Sequence, residues 1–371
     1  MRVLLDVSAL DQDFVTGTER ALLHLLRHLA REQPADLDLH LAAPRPPRLL
    51  PPDLPFPLHR AWGGRAWREA GAPALARQLQ ADLWHSPVLA LPLRARLPRV
   101  ATIHEFAFLA DPGLRDEGRP GLRRLRARWT ARRAAALVCV SAWTEAGLLR
   151  LAPAARGRTR VIPHAVDAAF LEARPTREAR ETVPGLGPER PYLLAVARAR
   201  RRKALEDLLP VLAALAEAGR EEVLVLAGPP APARETFLRR AAAAGLGDRV
   251  LAPGWIPEEH LPGLYAGAAA LLLPSRSEGF GLPLLEAWAA RTPVAARRAA
   301  ALPEIAGEAA LWLDFERPRE AAGALLALLG DPARRRDLVE AGRRRLEAAH
   351  RPGEPARRLL ALWREILAGG S

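Results

Sequence analysis

Residues 275–294 read SRSEGFGLPLLEAWAARTPV, and Glu278 and Glu286 stand eight positions apart in them, around a Gly-Phe-Gly turn and Pro283. Ionised carboxylates only accept hydrogen bonds, so a pair of them suits a ligand rich in hydroxyls, such as a sugar or a ribose. The preceding AALLLPS has the composition of a buried strand, and LPLLEAWAA that of a helix with Pro283 suited to its first position. Gly279 and Gly281 open the loop backbone to close approach by a ligand, and a helix start supplies N–H donors and partial positive charge that favour phosphate. On this reading Glu278 lies before the loop and Glu286 in the first helical turn, both facing one pocket. The competing reading is a capped surface helix with solvated acids.

A second constellation is LLAVARARRRKALEDLL, residues 193–209, read as a strand, a basic turn and a helix. Arg198 falls at the strand end and Lys203 five residues on, at the helix start. Such a pair can hold a diphosphate, arginine through its planar fork and lysine as a compact point charge. Lys203 is the one lysine among 55 basic residues, in a chain where bias elsewhere has given arginine. Arg200, Arg201 and Arg202 read as an exposed basic turn. His104 ends the buried strand RVATIH, a place for chemistry, although a lone histidine is more often structural. In DVSALDQDFVTGTERALLHLL, Gly17, Thr18 and Glu19 open a helix after a strand and a loop, without the G-x-G-x-x-G of a conventional dinucleotide-binding dehydrogenase.

Strand-like and helix-like segments alternate along both halves, which predicts α/β architecture with parallel sheets. The strands are RVLLD, LDLHLAA, DLWHS, RVATIH, ALVCVS and TRVIP, then PYLLAVA, EVLVLAG, RVLAPG, AALLLPS, TPVAAR and AALWLD. Residues 1–170 read as a first Rossmann-like domain, 171–190 as a Pro- and Gly-rich linker, and 191–353 as a second such domain. An amphipathic helix at 354–368 ends the chain. Two doubly wound domains bind ligands beyond the carboxyl ends of their strands, so facing domains would form a cleft. The single cysteine, Cys139, excludes an intramolecular disulfide and a Cys-rich zinc site and fits a cytoplasmic setting. No run of apolar residues is long enough to span a membrane. The net charge of +13 (55 − 42) comes from a chain-wide arginine bias, and with aromatics at 5% no nucleic-acid stacking module is visible.

With these segments in view, the chain resembles the retaining glycosyltransferases of family 4, which have the GT-B fold. The resemblance is sharpest in EGFGLPLLE with TPV and LPEIAGEAALWLD. It extends through TIHEFAFL, VCVSAWTEAGLLR, VIPHAVDAAF, the arginine–lysine turn, VLAGP and GWIPEEHLPGLYAGAAALLLPS. It implies that Glu286 binds the donor's ribose hydroxyls and that Glu278 contacts the transferred sugar. Gly279, Phe280, Gly281 and Leu282 would present backbone to sugar and phosphate. Arg198 and Lys203 would neutralise the diphosphate, and His104 would sit beside the reacting sugar. Gly17 would let the first loop approach the donor, and Gly254, Trp255 and Ile256 would lie against the base. The terminal helix would cross back to the first domain. Two positions depart from the family pattern, Arg291 and Ala197, where a glycine or small residue is usual.

The implied reaction moves a hexose, by general family resemblance mannose, from a GDP- or UDP-linked donor to a glycan or lipid-linked acceptor. The setting would be polysaccharide or glycoconjugate biosynthesis. Negative charge on the departing diphosphate is met by fixed cations and a helix N-terminus, so neither a metal nor another cofactor is expected. The D-x-D matches at 11–13 and 36–38 are too short to assign metal to. Residues 114–133, with eight arginines and with Leu122, Leu125 and Trp129 at helical spacing, raise the expectation of peripheral association with the inner face of the cell membrane. A GT-B nucleotide-sugar epimerase or hydrolase is the competing enzyme class, and a basic nucleic-acid binder the non-enzymatic one.

Overall fold

The computed structural model describes residues 1–105 and 120–369. The described chain forms two compact units, residues 1–105, 120–165 and 352–369 in the first and 166–351 in the second. Each is built on one parallel sheet.

In the first unit the strands are β1 (Arg2–Asp6), β2 (Asp38–Ala43), β3 (Leu58–Arg60), β4 (Leu83–Ser86), β5 (Arg99–Ile103), β6 (Ala136–Cys139) and β7 (Thr159–Val161), in the order β3-β2-β1-β4-β5-β6-β7. In the second they are β8 (Tyr192–Val196), β9 (Val223–Ala227), β10 (Val250–Gly254), β11 (Ala270–Leu273), β12 (Val294–Ala296) and β13 (Leu311–Trp312), in the order β10-β9-β8-β11-β12-β13. Both are doubly wound Rossmann-like orders, with the first strand central and the direction of winding reversed beside it. The twelve apolar runs read from sequence all form strands. The thirteenth, β3, is a three-residue edge strand with two of its three residues exposed, too short and too wet to show as a periodic run. Leu4, Trp84, Ala101 and Leu137 pack in the core of the first unit, and Leu193, Leu224, Leu272 and Leu325 in that of the second.

Residues 171–190 were expected as a linker, but they are packed into the second unit. Ala179, Val183 and Leu186 are buried, and a Cβ on Gly263 would lie 3.0 Å from both Ala179 and Thr176. Three spaced apolar residues anchor a stretch whose Pro, Gly and charge content conceals them. The helix Glu354–Ala368 belongs to the first unit. Its fully buried Trp363 donates from Nε1 to His85 Nδ1 on β4 at 3.1 Å. Arg364–Asp36 (2.7 Å) and Arg160–Glu365 (2.6 Å) add exposed ion pairs. Burial of the indole, worth roughly 2–3 kcal/mol, outweighs such surface pairs at below about 1 kcal/mol each.

Arg291 follows the helix Leu282–Ala289 with a φ of 59°, in the left-handed region. The helix closes there, with Arg291 N–H donating to Trp288 O (3.1 Å) and Thr292 N–H to Ala287 O (2.8 Å). Glycine adopts this conformation without the Cβ penalty. Arg291→Gly is therefore expected to stabilise the fold by about 1 kcal/mol in equilibrium denaturation. A destabilised variant would contradict this account.

Candidate active site

The reversal of winding in the second unit lies between β8 and β11, which pair through Ala270 with Leu193 and Leu271 with Leu194. The basic turn leaves the carboxyl end of β8, and the two-glutamate loop leaves that of β11. Adjacent parallel strands thus deliver both constellations to one crevice.

There Lys203 Nζ donates to Glu278 Oε1 at 2.5 Å, and Arg202 Nη1 lies 3.7 Å from Glu278 Oε2. Glu278 is buried. Burial alone would raise its carboxyl pKa, but Lys203 and Arg202 outweigh that and hold it below the ordinary carboxylate value. Two further bonds stitch the turn to the loop, Arg276 N–H to Arg202 O (2.9 Å) and Arg202 Nη1 to Ser277 O (3.5 Å). Arg202, expected on the exposed turn, keeps only 13% of its side chain accessible because these contacts draw it inward. Lys203 closes a 3-10 turn, Arg201–Lys203, rather than opening the helix, which begins at Leu208. Ala204 enters the left-handed region (φ 46°) and interrupts the chain between them. Arg198, two residues beyond β8, is exposed, with no ion pair among the described residues.

Glu286 is buried and accepts a hydrogen bond from the Tyr265 hydroxyl at 2.6 Å. It is the fifth residue of its helix, in the second turn rather than the first, and Pro283 is the second residue rather than the first, because Leu282 already has helical geometry. Tyr265 is fully buried, with the Phe170 ring edge-on at 5.5 Å. Gly281 caps the helix at φ 102°, a left-handed conformation that favours glycine, and a Cβ there would have to push aside Leu302 Cδ2, 2.7 Å away. Gly279, Phe280 and Leu282 are buried beside it, with Phe280 edge-on to His350 at 5.5 Å. Gly254 ends β10, followed by half-buried Trp255 and buried Ile256.

Gly17 and His104 belong to the first unit. Gly17 is the first residue of the helix Gly17–Glu32, and Glu19 closes its capping box by accepting from Thr16 N–H at 2.9 Å. His104 lies one residue beyond β5, half-buried. Its Nε2 meets Pro87 O at 2.9 Å and its Nδ1 meets His164 Nε2 at 3.2 Å, with the rings stacked. A carbonyl only accepts, so a neutral His104 carries its proton on Nε2 and receives the His164 N–H at Nδ1. Desolvation lowers its pKa to about 4, and lowers that of buried His85 to about 3. Both rings take up protons on unfolding below their free value of about 6.5, so the stability they contribute is complete above that pH and declines as pH falls toward about 4. The melting temperature should fall between about pH 6.5 and 5, and less steeply in His104→Gln. Equal slopes would refute the assignment.

The Glycosyltransferase Family 4 model matches residues 15–170, and the Glycosyl transferases group 1 model matches residues 176–345. A 2-deoxystreptamine glucosyltransferase of Streptomyces kanamyceticus is 30% identical over 77% of each chain. This chain belongs to glycosyltransferase family 4. A D-inositol 3-phosphate glycosyltransferase of Acidothermus cellulolyticus is 32% identical over 66% of the chain, which spans 56% of that relative. Among solved structures, a sucrose-phosphate synthase from Thermosynechococcus elongatus superimposes over 99% of each chain (TM-score 0.81, 23% identity). Anabaena HepE in complex with UDP and glucose covers 98% of this chain and is itself covered in full (TM-score 0.78, 17% identity). The fold is GT-B, two Rossmann-like domains.

Two residues of this glycosyltransferase escaped the sequence reading. Arg202 was hidden among neighbouring arginines. Tyr265 lies 21 positions before Glu286, but it is one of only two tyrosines in the chain, a signal that could have marked it. The acids of the first D-x-D match are ion-paired, Asp11 with Arg45 and Asp13 with Arg48. In the second, Asp36 pairs with Arg364 and Asp38 with Arg2.

Proposed function

We propose that this glycosyltransferase moves a hexose, with retention and without a metal, from a UDP- or GDP-linked donor to a hydroxyl of a glycan or lipid-linked acceptor. The observation that carries the reading is the meeting of Lys203 and Arg202 on buried Glu278 at the reversal point of the second sheet. This pairing supports a reading in which the cations meet a departing diphosphate, beside a carboxylate able to bind sugar hydroxyls. As the anomeric C–O bond breaks, charge develops on the diphosphate and is met by Lys203 and by the N-terminus of the helix Leu282–Ala289. Glu286, oriented by Tyr265, takes the ribose hydroxyls. His104 has both ring nitrogens engaged and is neutral, so it does not take the acceptor proton, which passes to a donor phosphate oxygen.

Calorimetric titration with UDP and GDP, with and without EDTA, tests this. Selective, EDTA-insensitive binding that Glu286→Ala abolishes is the expected result. Binding of neither, or only with metal present, would overturn it. A GDP preference points to mannose, and a UDP preference to the UDP-glucose found with the Anabaena protein.

The helix Pro120–Arg133 supplies the argument for a membrane-facing acceptor; residues 114–119 lie outside the described chain. It buries the small residues Ala127, Thr130 and Ala131, leaving Leu125 and Trp129 53% and 49% exposed. Arg126, Arg128, Arg132 and Arg133 are exposed around them, with Arg133 over the Trp129 ring. Apolar anchors within positive charge complement an anionic bilayer surface. Among the described residues no helix is long and apolar enough to cross a membrane. Co-sedimentation with anionic but not neutral vesicles, lost in Leu125→Ser/Trp129→Ser, is expected. Absence of sedimentation would remove the membrane from the proposal.

A further inference from the structure

Glu278 has two cationic partners where a simple ion pair needs one. Lys203 engages Oε1 at 2.5 Å, while Arg202 stands 3.7 Å from Oε2. All three side chains are largely buried, 14% exposed for Lys203, 13% for Arg202 and 8% for Glu278. The arginine is held independently of the lysine. Its carbonyl accepts from Arg276 N–H at 2.9 Å and its guanidinium reaches Ser277 O at 3.5 Å, so both ends of the residue are fixed to the loop that carries Glu278. Arg201, the preceding residue, is exposed.

A diphosphate entering this crevice presents more negative charge than one carboxylate and competes for Lys203. If Lys203 were the sole counterion of Glu278, its departure would strand a buried carboxylate, which is strongly unfavourable. A second cation on the other oxygen removes that obstacle. It also keeps Glu278 ionised and in place for the sugar.

We propose that Arg202 is the retained counterion of Glu278: donor binding transfers Lys203 from Glu278 Oε1 to the diphosphate, while Arg202 stays on Oε2. Arg202 is thus a positioning residue, acting on the donor through Glu278 and Lys203. The inference rests on the donor reading above and deepens it by dividing the two cations between two anions.

The test uses the full chain and needs no acceptor, since UDP and GDP are the probes and calorimetric affinity is the readout. Binding by the wild type that Lys203→Ala abolishes establishes the donor site. If the wild type binds neither probe, it is the donor reading that has failed. Given binding, Arg202→Gln is expected to weaken it by about tenfold, because Lys203 must now abandon an unpaired carboxylate. Arg201→Gln should leave it unchanged. Glu278→Gln, which releases Lys203, should bind at least as tightly as the wild type. In the Glu278→Gln background, Arg202→Gln should cost nothing further, and that recovered affinity also requires a folded site. Wild-type affinity in Arg202→Gln overturns the proposal. So does a loss that persists undiminished in the double variant, since Arg202 would then be a direct phosphate ligand.

Discussion

Lys203→Ala is expected to reduce turnover, read as nucleoside diphosphate release, by about 10²–10³-fold, the range seen when one preorganised group stabilising transition-state charge is removed. The chain supplies this cation once: every other basic residue is arginine. Arginine and lysine differ in shape and hydration, so Lys203→Arg should restore only part of the activity, its larger planar head being a poor fit to a largely buried position built for an ammonium. Stability should fall less than activity. Removing one partner of a buried ion pair costs about 3–5 kcal/mol when the other charge is left alone. Here Arg202 remains beside Glu278, so the loss should be below about 3 kcal/mol in equilibrium denaturation. A variant that unfolds readily yet keeps its turnover would assign Lys203 to architecture, and one within about threefold of wild-type turnover would remove it from the site.

How far the site could be read in advance depended on whether its signal lay in one segment. Glu278, Gly281 and Glu286 are legible because spacing, the glycines and the adjoining strand and helix fall within twenty residues of sequence. Lys203 is legible because it breaks a composition bias. Arg202 is not, since three arginines precede it within four positions and its contacts with Arg276, Ser277 and Glu278, 74–76 residues later, turn it inward. The partnership of Tyr265 with Glu286 likewise depends on tertiary packing between two short helices, Leu261–Ala266 and Leu282–Ala289. The sheets were legible as apolar runs bounded by turns, whereas β3 and the packed stretch 171–190 were not. The first is too short to show a period, and in the second Ala179, Val183 and Leu186 are outnumbered by polar and turn residues. Arg291 shows the converse: its departure from the family pattern is visible in sequence, but the left-handed backbone that makes the departure costly is visible only in the fold.

Gly342→Ala should damage both fold and site, although the methyl is added behind the site. A Cβ there would fall 2.1–2.4 Å from Trp288 Cδ1, Cγ and Nε1, well inside contact distance. Gly342 lies in the helix Pro332–Ala349, packed against the helix that carries both Trp288 and Glu286. The indole has little freedom to yield, being fully buried with its Nε1–H donating to Ala309 O at 3.1 Å. Overpacking of this kind costs about 1–3 kcal/mol, and rotating the indole away would forfeit roughly 1 kcal/mol more for the lost hydrogen bond. The alternative relief is for the helix Leu282–Ala289 to move, which displaces Glu286 from Tyr265 and, on the proposed reading, from the donor's ribose. Thermal unfolding and diphosphate titration should therefore both deteriorate, with stability down by about 3 kcal/mol. Trp288→Leu in the Gly342→Ala background separates the two effects: removing the ring ends the clash and should recover diphosphate affinity, while stability stays low because a large buried side chain has been lost. Wild-type stability in Gly342→Ala would mean that the two helices do not pack at this separation, and the placement of Glu286 would have to be revised with them.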